Sequence, residues 1–67
     1  MSVAKVVEIM ATSKTSFEDA INAGIARASK TLDDVQGAWV KSMKVEVEKG
    51  KMVQYRVIMK VTFVLNA

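Results

Sequence analysis

The sequence predicts an α+β domain of βαββ order, a three-stranded antiparallel sheet wrapped on one helix. Three observations carry this. Apolar residues recur at helical spacing from Phe17 to Leu32. Residues 51–65 instead alternate with a period of two, the signature of a long half-buried strand. Residues 48–51, EKGK, join that alternation to a preceding β-type run through a short glycine-containing link, so the last two strands form a hairpin.

The first strand covers residues 3–10, VAKVVEIM, which are rich in β-branched side chains and apolar on both faces. That pattern suits a short strand covered on both sides. ATSKTS follows and is turn-like, and Ser16 lies three residues before Asp19, close to capping-box spacing. Phe17, Ile21, Gly24, Ile25, Ala28 and Leu32 then form one stripe, with Glu18, Asn22, Arg27 and Lys30 off it. Glu18 and Asp19 sit at the positive end of the helix dipole, and Arg27 and Lys30 near the negative end. Gly24 costs about 1 kcal/mol against alanine in mid-helix, which implies close approach of the helix to a strand. In the last strand Val53, Tyr55, Val57, Met59, Val61, Phe63 and Leu65 share one face. Gln54, Arg56, Lys60 and Thr62 lie on the other, with Ile58 and Val64 as apolar exceptions. The second strand changes parity: Ala38 and Val40 point even positions at the helix, whereas Met43, Val45 and Val47 point odd ones. A bulge near Ser42 reconciles the halves, since one extra residue flips the parity.

Sixty-seven residues allow one domain, spanning 1–67. So short a chain buries only about 60% of its unfolded surface and needs a staple. It has no cysteine and no histidine, which excludes disulfides, thiolate metal sites, the commonest zinc ligand and the commonest general base. Half the residues are apolar, so assembly with identical chains is the staple that remains. The net charge is +3, with basic and acidic residues interspersed. No clustered basic stripe with stacking aromatics points to nucleic acid, and no run of apolar residues reaches the length of a membrane span. The opening residues pass directly into a strand pattern and make a poor signal peptide, so a cytoplasmic protein is expected. No Ser, Lys or Asp sits in a recognisable catalytic setting, which argues against an enzyme.

The stretch VAKVVEIMATSKTSFEDAINAGIARASKTLDDV resembles the opening of the dodecins: Lys5–Ile9, Thr12–Ser13, Ala26–Ala28 and Thr31–Leu32 fall where that family has KVVEI, TS, ARA and TL. The end, YRVIMKVTFVL, resembles the family's last strand, with Tyr55, Val61, Phe63 and Leu65 in place. The resemblance implies a hollow dodecamer that stores or quenches free flavin (riboflavin, FMN or FAD), held in pairs at subunit contacts. It also implies two site residues, a tryptophan of the second strand that stacks on the ring and a glutamine directly after the last-strand tyrosine.

This chain departs from both. Arg56 follows Tyr55, and the stacking position is Gly37, with Trp39 two residues later. Gly37, Trp39 and Arg56 are therefore the candidate site residues. Loss of base-type stacking, worth about 1–3 kcal/mol, weakens flavin binding. Arg56 donates hydrogen bonds but accepts none, and a cross-strand ion pair with an acidic neighbour is the competing reading. Trp39 is expected to plug the vacated space or a subunit contact, and the alternative is a relocated stacking platform. Met10, Met43, Met52 and Met59 are read as core or interface residues. The departures also resemble a branch of the family associated with calcium. Calcium needs six to eight oxygen ligands, and the nearest acidic cluster, Asp33–Asp34, supplies too few in one chain, so the metal ligands stay unassigned.

Overall fold

The computed structural model describes residues 3–65. Strand β1 (Val3–Ser13) leads into helix α1 (Phe17–Thr31), and β2 (Val35–Glu48) and β3 (Lys51–Leu65) form the hairpin. The strand order is β1-β3-β2, with β3 central and antiparallel to both neighbours. The hairpin turns on Lys49 and Gly50, whose φ values of 51° and 75° meet the type I′ requirement for positive φ at both central residues.

The first strand runs three residues further than its apolar pattern suggested, because Ala11, Thr12 and Ser13 pair with Val57, Arg56 and Tyr55. Among the described residues Ser13 is the buried polar one. Its hydroxyl donates to Asp19 Oδ2 at 2.6 Å and accepts from the backbone N–H of Thr15 at 2.9 Å. Ser16 caps the helix, its Oγ accepting from Asp19 N–H at 2.9 Å. Only half of the capping box forms. The Asp19 carboxylate does not return to Ser16 N–H, which instead approaches Ser13 Oγ at 3.4 Å. An aspartate is one methylene shorter than the glutamate of the usual box, and Ser13 lies within its reach.

The buried helix residues are Ala20, Gly24 and Ala28, spaced by four and so stacked on one face. This shifts the predicted stripe. Ala20 was not part of it, while Phe17, Ile21 and Ile25 flank the contact half-buried and Leu32 becomes the C-cap. Small side chains at the centre let the backbone of α1 come down onto β3, and the large ones wedge in from the sides. Beneath them Val57, Met59 and Val61 are fully buried and Phe63 nearly so. Phe17 meets Tyr55 edge to face, with ring centroids 4.9 Å apart.

Gly24 shows why the approach is close. A Cβ there would lie 2.6 Å from Met59 Cε and 3.1 Å from the Ala11 Cβ. Met59 is fully buried and has little room to yield. The helix of 15 residues is about 22 Å long, whereas the hairpin strands span about 48 Å and the molecule's long axis is 51 Å. The helix therefore covers β3 from Phe63 to Tyr55. Met43, Val45, Val47, Met52 and Val53, toward the hairpin tip, stay exposed within the subunit.

Gly24→Val should lower stability by about 1–3 kcal/mol through overpacking, read as a lower urea midpoint with an unchanged m value. An unchanged midpoint would show that α1 does not sit this tightly on β3.

Candidate ligand-binding face

Because side chains alternate along β3, the residues between the buried odd positions point away from the helix. Gln54, Arg56, Ile58, Lys60, Thr62 and Val64 line this outer face. Pairing registers extend it sideways in rows: Glu8, Lys60 and Trp39 lie abreast, as do Val6, Thr62 and Gly37, and Thr12, Arg56 and Lys44. The expected bulge of β2 falls between Val40 and Ser42, with Lys41 as the extra residue. Two further irregularities lie between Val35 and Gly37 and between Glu46 and Val47.

The strand is regular from Gly37 to Trp39, so the two positions share the outer face. Yet the indole does not move into the space beside it. A Cβ at Gly37 would meet nothing within 4 Å, and Trp39 remains 68% exposed. Within the subunit Trp39 plugs nothing. Its ring instead lies under the ammonium of Lys60, 5.7 Å from the ring centre. Lys41 reaches across from the bulge to Glu8, Nζ to Oε1 3.2 Å, with both side chains about half exposed.

Arg56 has the acidic cross-strand partner that one reading of the sequence required. Its guanidinium pairs with Glu46 Oε1, which also accepts from Gln54 Nε2 at 3.0 Å. The Arg56 Nε is buried and has no hydrogen-bond partner among the described residues. Lys44 stands directly opposite Arg56, a like-charge pairing that favours holding a carboxylate nearby.

The three candidate residues thus share a face but not a place. Arg56 and the Thr62 row of Gly37 are six residues apart along β3, roughly 20 Å, and Trp39 is roughly 13 Å from Arg56 by the same measure. One flat ring at Gly37 or Trp39 does not reach Arg56 of the same chain. Sequence reasoning did not single out Glu8, Lys41, Lys60 or Glu46. Glu8 was visible as a charge inside an apolar strand, but the placing of Glu46 depends on the bulge.

Asp33 and Asp34 form no metal cluster. Among the described residues no three acidic side chains gather as metal ligands. Asp34 takes a turn conformation, φ 52°, its carboxylate accepts from the Gln36 side-chain amide, and its carbonyl accepts from Val64 N–H at 3.2 Å. An apolar groove of about 530 Å³ lies on the other side of the sheet, between β1 and α1, lined by Val7, Ile9, Ala11, Ala23 and Ala28 among others. It contains none of the three candidates. No helix among the described residues is long and apolar enough to cross a membrane.

A double-mutant cycle of Arg56→Gln and Glu46→Gln, followed by urea unfolding, should give a coupling of about 1 kcal/mol, at the upper end for partly exposed pairs. Zero coupling would show that the pair does not hold Arg56.

The fold has counterparts among known proteins. Residues 3–66 match the family model described as Dodecin. The chain is 36% identical over 63 residues to calcium dodecin of Mycobacterium tuberculosis, covering 94% of this chain and 89% of that protein. It is 36% identical over 62 residues to dodecin of Thermus thermophilus, covering 92% and 90%. The structure of dodecin from Streptomyces davaonensis superposes with a TM-score of 0.93 at 32% identity, covering 98% of this chain and 97% of that one. On this evidence the chain belongs to the dodecin family.

Proposed function

We propose that this chain is a dodecin-type binding or storage protein, a cytoplasmic homododecamer of single-domain subunits that holds a small ligand without transforming it, and whose flavin site is altered. The observation that carries the reading is the state of the two signature positions. Gly37 offers open space where an aromatic ring would stack, and Arg56 is engaged by Glu46 in place of an amide free to bind a ring edge. Assembly is supported by the apolar tip of the hairpin and by the apolar groove between β1 and α1, surfaces that a subunit this small cannot cover itself. The separation of Arg56 from Gly37 and Trp39 supports a ligand shared between subunits. The non-enzymatic reading rests on the lack of His and Cys and on the use of Ser13 and Asp19 to join β1 to α1.

Calcium is the second reading. Its support is the likeness to calcium dodecin, whose solved structure, described as having a novel calcium-binding site, matches with a TM-score of 0.84 at 36% identity. Since no three acidic side chains gather within the described subunit, such a site would draw carboxylates from several copies. Calorimetric titration of chelator-treated protein with calcium chloride distinguishes this reading from the first, and absence of heat removes it.

Sedimentation should give a closed assembly of twelve chains, and a stable monomer near 7.4 kDa would refute that state. Riboflavin should bind weakly, as read by flavin fluorescence. The combined substitutions Gly37→Trp, Trp39→Glu and Arg56→Gln should raise affinity tenfold or more, since about 1.4 kcal/mol of recovered stacking corresponds to tenfold. If the triple variant folds and assembles but gains nothing, the altered-site reading fails.

A further inference from the structure

We propose that Trp39 and Gly37 are the two halves of a self-complementary contact between copies of this chain. Across a two-fold axis at Ala38, the partner's Trp39 fills the open space over Gly37, and Trp39 fills the same space in the partner. The proposal rests on the homo-oligomeric reading and deepens it, because it names the partner and the residue that closes the altered site.

A knob and a hole lie two residues apart on one strand. The knob is Trp39, 68% exposed and without cover in its own subunit. The hole is Gly37, where a Cβ would meet nothing within 4 Å. Both face outward, since the strand is regular between them. The chain does not fill its own hole: the two positions are about 6.6 Å apart along the strand, and Lys60 lies over the indole and limits its freedom to turn. Both features sit on β2, an edge strand with no strand beyond it among the described residues. Gln36, Gly37, Ala38 and Trp39 form an exposed, uncharged run there. Such an edge is open to pairing with another chain.

Parity and symmetry then choose the partner. When two copies of one strand run antiparallel about a two-fold axis normal to the sheet, opposed residues point to the same face. An axis at Ala38 sets Gly37 opposite the partner's Trp39 and Trp39 opposite the partner's Gly37. An axis at Trp39 would set indole against indole, and one at Gly37 would set hole against hole. Only the first fills both holes. The irregularities between Val35 and Gly37 and between Val40 and Ser42 break straight pairing on either side, so the regular edge is short and centred near this point. Ala38, abreast of the buried Val61, turns only a methyl group to the helix side, so no large side chain holds the copies apart at the axis. An aromatic ring laid across from a glycine covers its bare backbone. The resulting contact is isologous and closes on itself. The vacated stacking position is thus filled from outside the subunit, and a flat ligand would have to displace the partner's Trp39.

Trp39 is the one tryptophan of the chain, so its emission reports the contact directly. In the assembled wild type it should be blue-shifted and protected from acrylamide quenching. Gly37→Ile fills the hole without a clash in its own subunit and should abolish that protection. The chain also has no cysteine, so cross-linking reads the register. Directly opposed residues have Cβ atoms about 4.5–5.5 Å apart, close to disulfide range. Under oxidised glutathione the double variant Gly37→Cys, Trp39→Cys should form linked dimers. Gly37→Cys alone and Trp39→Cys alone should not, because the axis leaves each diagonal to its own copy at about 7–8 Å. Linked dimers from either single variant would move the axis and overturn the proposal. So would protection that survives Gly37→Ile, or acrylamide reaching Trp39 of the assembled wild type as readily as a free indole. Sedimentation of the same samples separates the two readings: a twelve-chain assembly with an open Trp39 refutes this contact alone, and a stable monomer refutes the assembly reading with it.

Discussion

The constraint on which the rest depends is a mismatch of length. One helix of 15 residues must cover a sheet whose long strands have 14 and 15 residues. A helical residue advances about 1.5 Å and a strand residue about 3.3 Å, so the helix covers less than half of the sheet's length. The covered half becomes the core: Val57, Met59 and Val61 under Ala20, Gly24 and Ala28. The uncovered half carries Val45, Val47, Met52 and Val53 into solvent. A longer helix would close the subunit on itself. A short one leaves a subunit with unfinished apolar surface, and that incompleteness links this fold to assembly.

The outer face inherits its chemistry from the same sheet by parity. Burial of the odd residues of β3 sends Arg56, Lys60 and Thr62 outward. On β2 the extra residue at Lys41 does the sorting. Ala38 and Val40 can then share the helix side with Met43 and Val45, while Trp39, Ser42, Lys44 and Glu46 share the outer side. Without the bulge, Glu46 would lie on the face opposite Trp39, out of reach of Arg56. A single irregularity thus settles both a packing conflict and an ion pair, which is why bulges should be treated as parts of a site.

Much of this was legible in the residues. The order of elements, the faces of β3, the bulge near Ser42 and the close approach at Gly24 follow from periodicity and from the cost of glycine in a helix. The helix face was less legible. Periodicity weighs large apolar side chains, whereas close packing on the central strand selected the small ones, so Ala20 went unnoticed. The end of the first strand was hidden for a related reason. Thr12 and Ser13 look like turn residues in isolation, but β3 extends far enough to pair with them. The grouping of Glu8, Lys41 and Lys60 was not legible at all, since these residues come from three strands and meet only through register.

Register also explains why moving an aromatic by one pleat is not a neutral change. At Gly37 the facing row is Val6 and Thr62, without charge. At Trp39 it is Lys60 and, beyond it, Glu8. A ring stacked in the first row is judged by shape and by its hydrogen-bonding edge. A ring stacked in the second is judged by its charge as well, because ammonium and carboxylate groups lie within the range over which exposed charges still act. The same indole, displaced by two residues along an unchanged strand, therefore meets a different electrostatic environment while the fold beneath it stays the same. These surface side chains are placed by pairing register on one face of the sheet, and the core of Val57, Met59 and Val61 lies on the other.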